Sequence, residues 1–348
     1  MSTVGNIVID DPSRVPRLGA FLIIGAQRSG TSLLTRILNR HPMLAVPPES
    51  FFFNTFAPLR RYYGDLRERR RMRRFIADVL STPKIREWSP IPSMETVLTR
   101  VRGPTMGDVF VALMESWAAS QNKTVWGEKT PHHVFHWAEL ATAVPNAPVI
   151  NIVRDGRDVA LGLIKARFGP KTIYSAAQRW QRWLTAIEEI RAKVPVDRFQ
   201  QLRYEDLLLR PVETLTELCS FLGYEYAPQM LDFHADKSLY STYADEHANL
   251  QKPLLVEKVE GWRRCMKSDD VALFEAINAD WLRRYGYAVE HAPRTLSRWE
   301  HVFFRNIHHP PRKAIALLRN EPGRREEAQL LMMRVRVVAS ALLQHLVR

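Results

Sequence analysis

Gly25 and Gly30 frame the stretch Gly25-Ala26-Gln27-Arg28-Ser29-Gly30-Thr31-Ser32, which follows an apolar run and opens onto a helix-like segment. A strand, a glycine-bearing turn and a helix start make an anion site. Backbone N–H groups, the positive end of the helix dipole and the hydroxyls of Ser29, Thr31 and Ser32 all offer themselves to phosphate-like oxygens. The turn is similar to the nucleotide-triphosphatase pattern G-x-x-x-x-G-K-[ST], but Thr31 stands where that pattern has lysine, which counts against a kinase or ATPase. A second apolar run, Val149-Ile150-Asn151-Ile152-Val153, leads into Arg154-Asp155-Gly156-Arg157-Asp158, again a basic turn between a strand and a helix.

The elements that must position these residues follow from the pattern of the chain. Strand-like runs at 21–24, 44–46, 124–126, 149–153 and 199–202 alternate with helical stretches at 31–39, 66–80 and 107–120. That alternation predicts an α/β fold with a mainly parallel sheet covered on both faces, whose ligands sit beyond the carboxyl ends of the strands. The 348 residues are 46% apolar and 25% charged, which excludes disordered and fibrous classes. A net charge of +13 favours an anionic partner. Cys219 and Cys265 are the two cysteines, too few for a disulfide framework or a cysteine-rich zinc site, and the chain reads as cytoplasmic. No stretch reaches the roughly 18 uninterrupted apolar residues of a spanning helix.

With Arg28-Ser29-Gly30-Thr31-Ser32 after its strand, the chain resembles the sulfotransferases that use 3′-phosphoadenosine 5′-phosphosulfate (PAPS), and in particular the bacterial, tyrosylprotein and heparan branches. The resemblance implies a three-layer P-loop-like fold and transfer of a sulfuryl group from PAPS to a hydroxyl, leaving 3′,5′-adenosine bisphosphate (PAP), with no metal required. By that resemblance Arg28, Ser29, Gly30, Thr31 and Ser32 bind the 5′-phosphosulfate, with Arg28 also at the transferring group. Charge that builds on the leaving phosphate oxygen would be met there by a cation and N–H donors. Arg154 matches the arginine of the family's 3′-phosphate motif. The serine eight positions later is replaced by Gly162, so its hydroxyl contact is missing. Arg157 is a further candidate for that phosphate; the competing structural role is a pair with Asp155 or Asp158. Tyr204, in Leu202-Arg203-Tyr204-Glu205-Asp206-Leu207, is similar to a tyrosine near the adenine, against the alternative of a core aromatic.

The resemblance also supplies a base. Glu49, after His41-Pro42 and Pro47-Pro48, matches a catalytic glutamate, and its apolar neighbours Phe51 to Phe53 would raise its pKa; a salt bridge to Arg28 or a helix cap is the structural alternative. Lys129, in Glu128-Lys129-Thr130-Pro131, matches a lysine at the reaction centre, as against a surface lysine. His132 and His133 are the reserve bases. With His136 they lack any supporting metal-ligand spacing, so no zinc site is expected.

The resemblance covers residues 20–288, including a closing loop around Lys252-Pro253 and Lys258 to Arg263, and the chain divides into an arm (1–18), a catalytic domain (19–288) and a basic helical extension (289–348). Residues 291–348 carry 11 Lys and Arg against 4 Glu. The segment 326–348 is expected to pack on its own body or a partner subunit, as in a homodimer, or to lie on an anionic membrane surface. Acceptor choice is expected from residues 50–120, where Phe51 to Phe53, Phe56, Tyr62 and Tyr63 meet eight arginines in 60–74, either a solvated face or a basic mouth. The acceptor implied by the resemblance is a hydroxyl of a small molecule, glycan or glycolipid. A P-loop kinase, a catalytically reduced PAP-binding homologue and a nucleic-acid binder are the alternatives; the last lacks any reader motif, so no nucleic-acid partner is expected.

Overall fold

In the run Gly19–Ile24 (β1), Phe21 and Ile23 enter one apolar cluster while Leu22 and Ile24 enter another, the period-two split of a strand buried on both faces. The computed structural model describes residues 19–235, 248–304 and 321–346; the arm 1–18 lies outside the described residues. Around β1 stand Leu44–Ala45 (β2), Val125–Glu128 (β3), Val149–Val153 (β4) and Phe199–Arg203 (β5), all parallel, in the order β2-β3-β1-β4-β5. The expected strands are all present. β3 runs on to Glu128, because Glu128 pairs with Leu22 of β1.

Parallel strands need crossovers, and helices fill them. Between the strands run Thr31–Asn39 (α1), Arg69–Leu80 (α2), Met106–Ser120 (α3), Gly156–Lys165 (α4) and Ile173–Arg191 (α5); after β5 come Pro211–Phe221 (α6), Ser268–Arg284 (α7) and Glu321–Leu346 (α8). One cluster joins Phe21, Ile23, Ile150 and Ile152 to α1 and α6, and the other joins Leu22, Ile24 and Trp126 to α2, α3, α5 and α7. The result is the predicted three-layer arrangement. Local capping agrees with it: at α3 Thr105 and Asp108 form a reciprocal capping box, and Thr172 caps α5 through the Ser175 N–H at 3.2 Å.

The extension forms α8, and the described part docks on the chain's own body. Met333 and Val337 are buried in the larger cluster, and Arg336 pairs with Asp78 of α2. Among the described residues no helix is long and apolar enough to cross a membrane.

The strand order decides where chemistry can occur. The chain leaves β1 toward the β2–β3 side and returns to the β4–β5 side, so the crevice of the sheet opens at the carboxyl end of β1. The residues following β3, β1 and β4 are therefore neighbours: Lys129, the Gly25–Gly30 turn and Arg154.

Candidate functional site

The β1–α1 turn is held in a conformation few residues accept. Arg28 has φ 68° and Gly30 φ 99°, both left-handed. A Cβ on Gly30 would lie 2.3 Å from the Tyr204 ring, and one on Gly25 would lie 2.7 Å from the Ile152 carbonyl oxygen. No side chain caps α1, so its first N–H groups keep the donor capacity that an anion can use. Gly30, Thr31, Ser32 and Arg28 line a cavity of about 590 Å³. Ser29 does not line it. It is 1% exposed with its hydroxyl unpartnered by any hydrogen bond, buried beneath the turn.

Arg154 borders the same cavity. Its guanidinium lies 4.3 Å above the centre of the Tyr204 ring and donates to the Lys258 carbonyl oxygen at 3.1 Å, while its Nε has no hydrogen-bond partner. Tyr204 thus supports Gly30 on one side and Arg154 on the other, and burial raises its pKa. Asp158, 3.7 Å from Arg154, is pushed up to about 6 by burial, which that arginine only partly offsets. Its Oδ1 accepts the Trp262 N–H at 2.8 Å, tying the 256–266 segment to α4. Gly162 also faces the cavity. A Cβ there would stand 3.2 Å from the Cβ of Arg28, so the glycine makes room for the arginine stem.

Arg157 must be reassigned. It is 1% exposed, with Nη2 2.7 Å from Asp155 Oδ2, Nη1 2.7 Å from Glu275 Oε1, and its guanidinium 3.6 Å over the Trp262 ring. Burial favours this side chain only because carboxylates satisfy it on both arms. It fastens the β4–α4 corner to α7 rather than facing the cavity.

Glu49 reaches the cavity on a segment fixed from below. Asn39 exchanges hydrogen bonds with Val46 at 2.7 and 2.8 Å, and His41 donates from Nε2 to the Glu225 carbonyl oxygen at 3.0 Å while Nδ1 accepts the Met43 N–H. Lys129, with its side chain 0% exposed, donates from Nζ to Glu49 Oε1 at 2.7 Å and lies 3.3 Å from the Ser32 hydroxyl. The structural alternative for Glu49 was a salt bridge to Arg28 or a helix cap; its carboxylate pairs with Lys129. Burial pushes the Glu49 carboxyl up, but the Lys129 ammonium, aided by its hydrogen bond, holds it below the usual value. The anticipated rise in pKa is thus reversed, and Glu49, 27% exposed, is an ionised carboxylate aimed into the cavity.

The two histidines separate. His133 is buried, does not line the cavity, accepts the Phe53 N–H on Nε2 at 3.2 Å and places Nδ1 2.9 Å from Glu128 without a hydrogen bond. His132 lines the cavity between Phe51 and Trp183, and burial lowers its pKa.

The opposite wall is where sequence reasoning fell short. Phe52, Phe53 and Phe56 belong to the core with Phe75 and Phe110, and of that aromatic group only Phe51 borders the cavity. None of the arginines in 60–74 lines it: Arg71 pairs with Glu68 and Arg73 with Glu95, each at 2.7 Å, on a solvated helix face. The wall is made by Thr82, Pro83, Lys84 and Glu87, which lie within the expected 50–120 segment, and by Glu326, Glu327, Leu330 and Arg334 of α8, which lie outside it. The spacing 326, 330, 333, 334, 337 puts these α8 residues on one helical face with the buried Met333 and Val337, a signal present in the sequence but pointing equally to any docked helix.

Residues 20–228 match the model of the sulfotransferase family. The chain belongs to that family. It is 23% identical over 297 residues to the nodulation protein NoeE of Sinorhizobium fredii (strain NBRC 101917 / NGR234), covering 78% of this chain and 67% of that protein. Among solved structures it is similar in fold to the sulfotransferase domain of the Synechococcus PCC 7002 olefin synthase, with a TM-score of 0.56, 20% identity, and 79% of this chain and 97% of that one covered. The sulfotransferase domain from the curacin biosynthetic pathway is comparable, with a TM-score of 0.53, 17% identity, and 79% of this chain and all of that one covered. Family membership covers the β1–α1 turn, Glu49, Lys129, Arg154 and Tyr204, and stops before α8.

Proposed function

We propose that the protein transfers a sulfuryl group from PAPS to an acceptor hydroxyl, with Glu49 as the base. The observation that carries this reading is the meeting, in one cavity, of the uncapped β1–α1 turn, Arg154 stacked on Tyr204, and Glu49, which the buried Lys129 holds from behind the cavity wall at 2.7 Å. In the order β3-β1-β4, Lys129 after β3 and Arg154 after β4 flank the turn after β1 on opposite sides, which suits a nucleotide with phosphates at both 5′ and 3′ positions. The orphaned Arg154 Nε and the open helix end are donors without an internal acceptor, which fits an anionic ligand.

In this scheme the 5′-phosphosulfate lies on the N–H groups of 30–32, with Arg28 and the Thr31 and Ser32 hydroxyls around it, and Arg154 takes the 3′-phosphate. Tyr204 stands beside the ribose or base. The acceptor oxygen attacks sulfur in line; its proton passes to Glu49, the new O–S bond forms, and the S–O bond to the 5′-phosphate breaks to release PAP. Lys129 then has two tasks. It keeps Glu49 ionised before the reaction and offsets charge on the bridging oxygen as that bond breaks.

An alternative P-loop kinase activity finds less support, because Thr31 occupies the lysine position of that motif. Incubation with labelled PAPS and a mixture of hydroxylated acceptors should give PAP and a labelled sulfate ester in equal amounts. PAP release with no ester, or consumption of ATP with magnesium instead, would contradict the assignment.

A further inference from the structure

α8 lies beyond the span that matches the family, yet Glu326, Leu330 and Arg334 line the same cavity as Glu49. The helix is fixed there rather than resting loosely. Met333 and Val337 are buried in the main cluster, and Arg336 pairs with Asp78. Across from it, Lys84 Nζ stands 2.9 Å from Glu87 Oε1 and 3.5 Å from Glu326 Oε2, so α8 and the 82–87 segment share one ammonium between two carboxylates. These side chains are mostly sheltered: Lys84 is 23% and Glu326 28% exposed. Lys84 also acts on Glu49 through its field, which links this wall to the proposed base.

The chemistry of the wall restricts what can fill the cavity. The two carboxylates retain lone pairs beyond those used on Lys84, Arg334 adds donors to the same wall, and covering these groups with an apolar body leaves them unsatisfied. An acceptor of strong single charge would meet both signs at once. Hydroxyl groups, which donate and accept, suit such a mixed cluster, while Phe51 and Leu330 supply apolar faces for carbon skeletons. We infer that α8 is the acceptor-recognition wall, and that Glu326 and Arg334, with Lys84 and Glu87, select a neutral polyhydroxylated acceptor of the saccharide type. The inference rests on the proposed sulfuryl transfer and adds its substrate class.

The test uses the full chain, labelled PAPS, a panel of neutral methyl glycosides and oligosaccharides, and 2-naphthol as a flat acceptor with one hydroxyl. Wild-type protein should sulfate members of the saccharide panel in preference to 2-naphthol. Glu326→Gln and Arg334→Ala should each raise KM for the saccharide about 10- to 100-fold, the size expected when one hydrogen bond to a charged group is lost, with kcat changed less and PAP affinity unchanged. Preference for 2-naphthol, no transfer to any saccharide, or unchanged saccharide KM in both variants would overturn the inference. A purely structural part for Glu326 would instead lower melting temperature and affect every acceptor alike. PAP titration of the wild-type protein separates the two levels: if PAP does not bind, the donor reading fails first; if it binds and the variants keep their KM, only the acceptor wall is wrong.

Discussion

At the β1–α1 turn the cavity is shaped by backbone; at α8 it is shaped by side chains on helices distant in sequence. The turn depends on two left-handed residues, an uncapped helix end and the Tyr204 ring pressed against Gly30. The α8 wall depends on one shared lysine, two carboxylates and an arginine. Backbone donors bind any suitably placed anion and tolerate little change in sequence, whereas side-chain pairs can be exchanged without altering the sheet. The contrast matches a fixed donor and a variable acceptor, and it predicts that the two ends fail in different ways under mutation.

The largest expected effect belongs to the group between them. Glu49→Gln should lower kcat about 10²- to 10⁴-fold, the usual contribution of a positioned base, while leaving PAP affinity within a small factor in calorimetry. Retained turnover would move the proton to His132, which lines the cavity while His133 does not.

Lys129→Met sharpens the same point through pH. With Lys129 present, Glu49 is held below its usual value, so a pH–rate profile should show no acid limb from it near neutrality. Without the ammonium, burial is the dominant remaining influence and raises the Glu49 pKa, so the acid limb should move toward neutrality as kcat falls by about 10²-fold. A profile unchanged in position would separate Lys129 from the base.

Gly30→Ala addresses the backbone end. A side chain at φ 99° is strained by about 1–2 kcal/mol, and its Cβ would displace Tyr204 from beneath Arg154, so PAP affinity should fall by roughly 10-fold or more. Saccharide KM measured at saturating donor should change little if the ends are independent.

The smallest effect concerns Asp158. Its folded pKa of about 6 exceeds the ordinary 3.8, so the folded state binds the extra proton in between, and the stability this adds is lost as pH rises through about 6. Asp158→Asn removes that titration. Its melting temperature relative to wild type should therefore rise from about pH 4 to pH 7 in thermal melts; a constant offset would mean that Asp158 does not titrate in this window.

The same contrast explains what the sequence disclosed. Alternating short apolar runs and helical stretches are local patterns, and they located all five strands and, through the parallel crossovers, the crevice beyond β1. Arg28, Lys129, Arg154 and Glu49 were named from their resemblance to family motifs; Arg28, Glu49 and Arg154 line the cavity, and Lys129 lies against Glu49. Arg157 was misplaced because a basic residue one turn into a helix looks the same whether it faces a ligand or two buried carboxylates, and Glu275 lies 118 positions away. The direction of the Glu49 shift failed for the same reason: neighbours in sequence are apolar, but the decisive neighbour, Lys129, arrives from β3. The acceptor wall needed the pairing of Lys84 with Glu326, which no local window contains.

The central claim is that the cavity reads a nucleotide carrying a 3′-phosphate, and calorimetric titration with PAP, AMP and magnesium-free ATP tests it most directly, in wild type and Arg154→Ala. The account predicts micromolar or tighter PAP binding, weak AMP and ATP binding, and a loss of PAP affinity in the variant that AMP does not share. Equal binding of PAP and AMP in the wild-type protein, or equal losses in the variant, would contradict it.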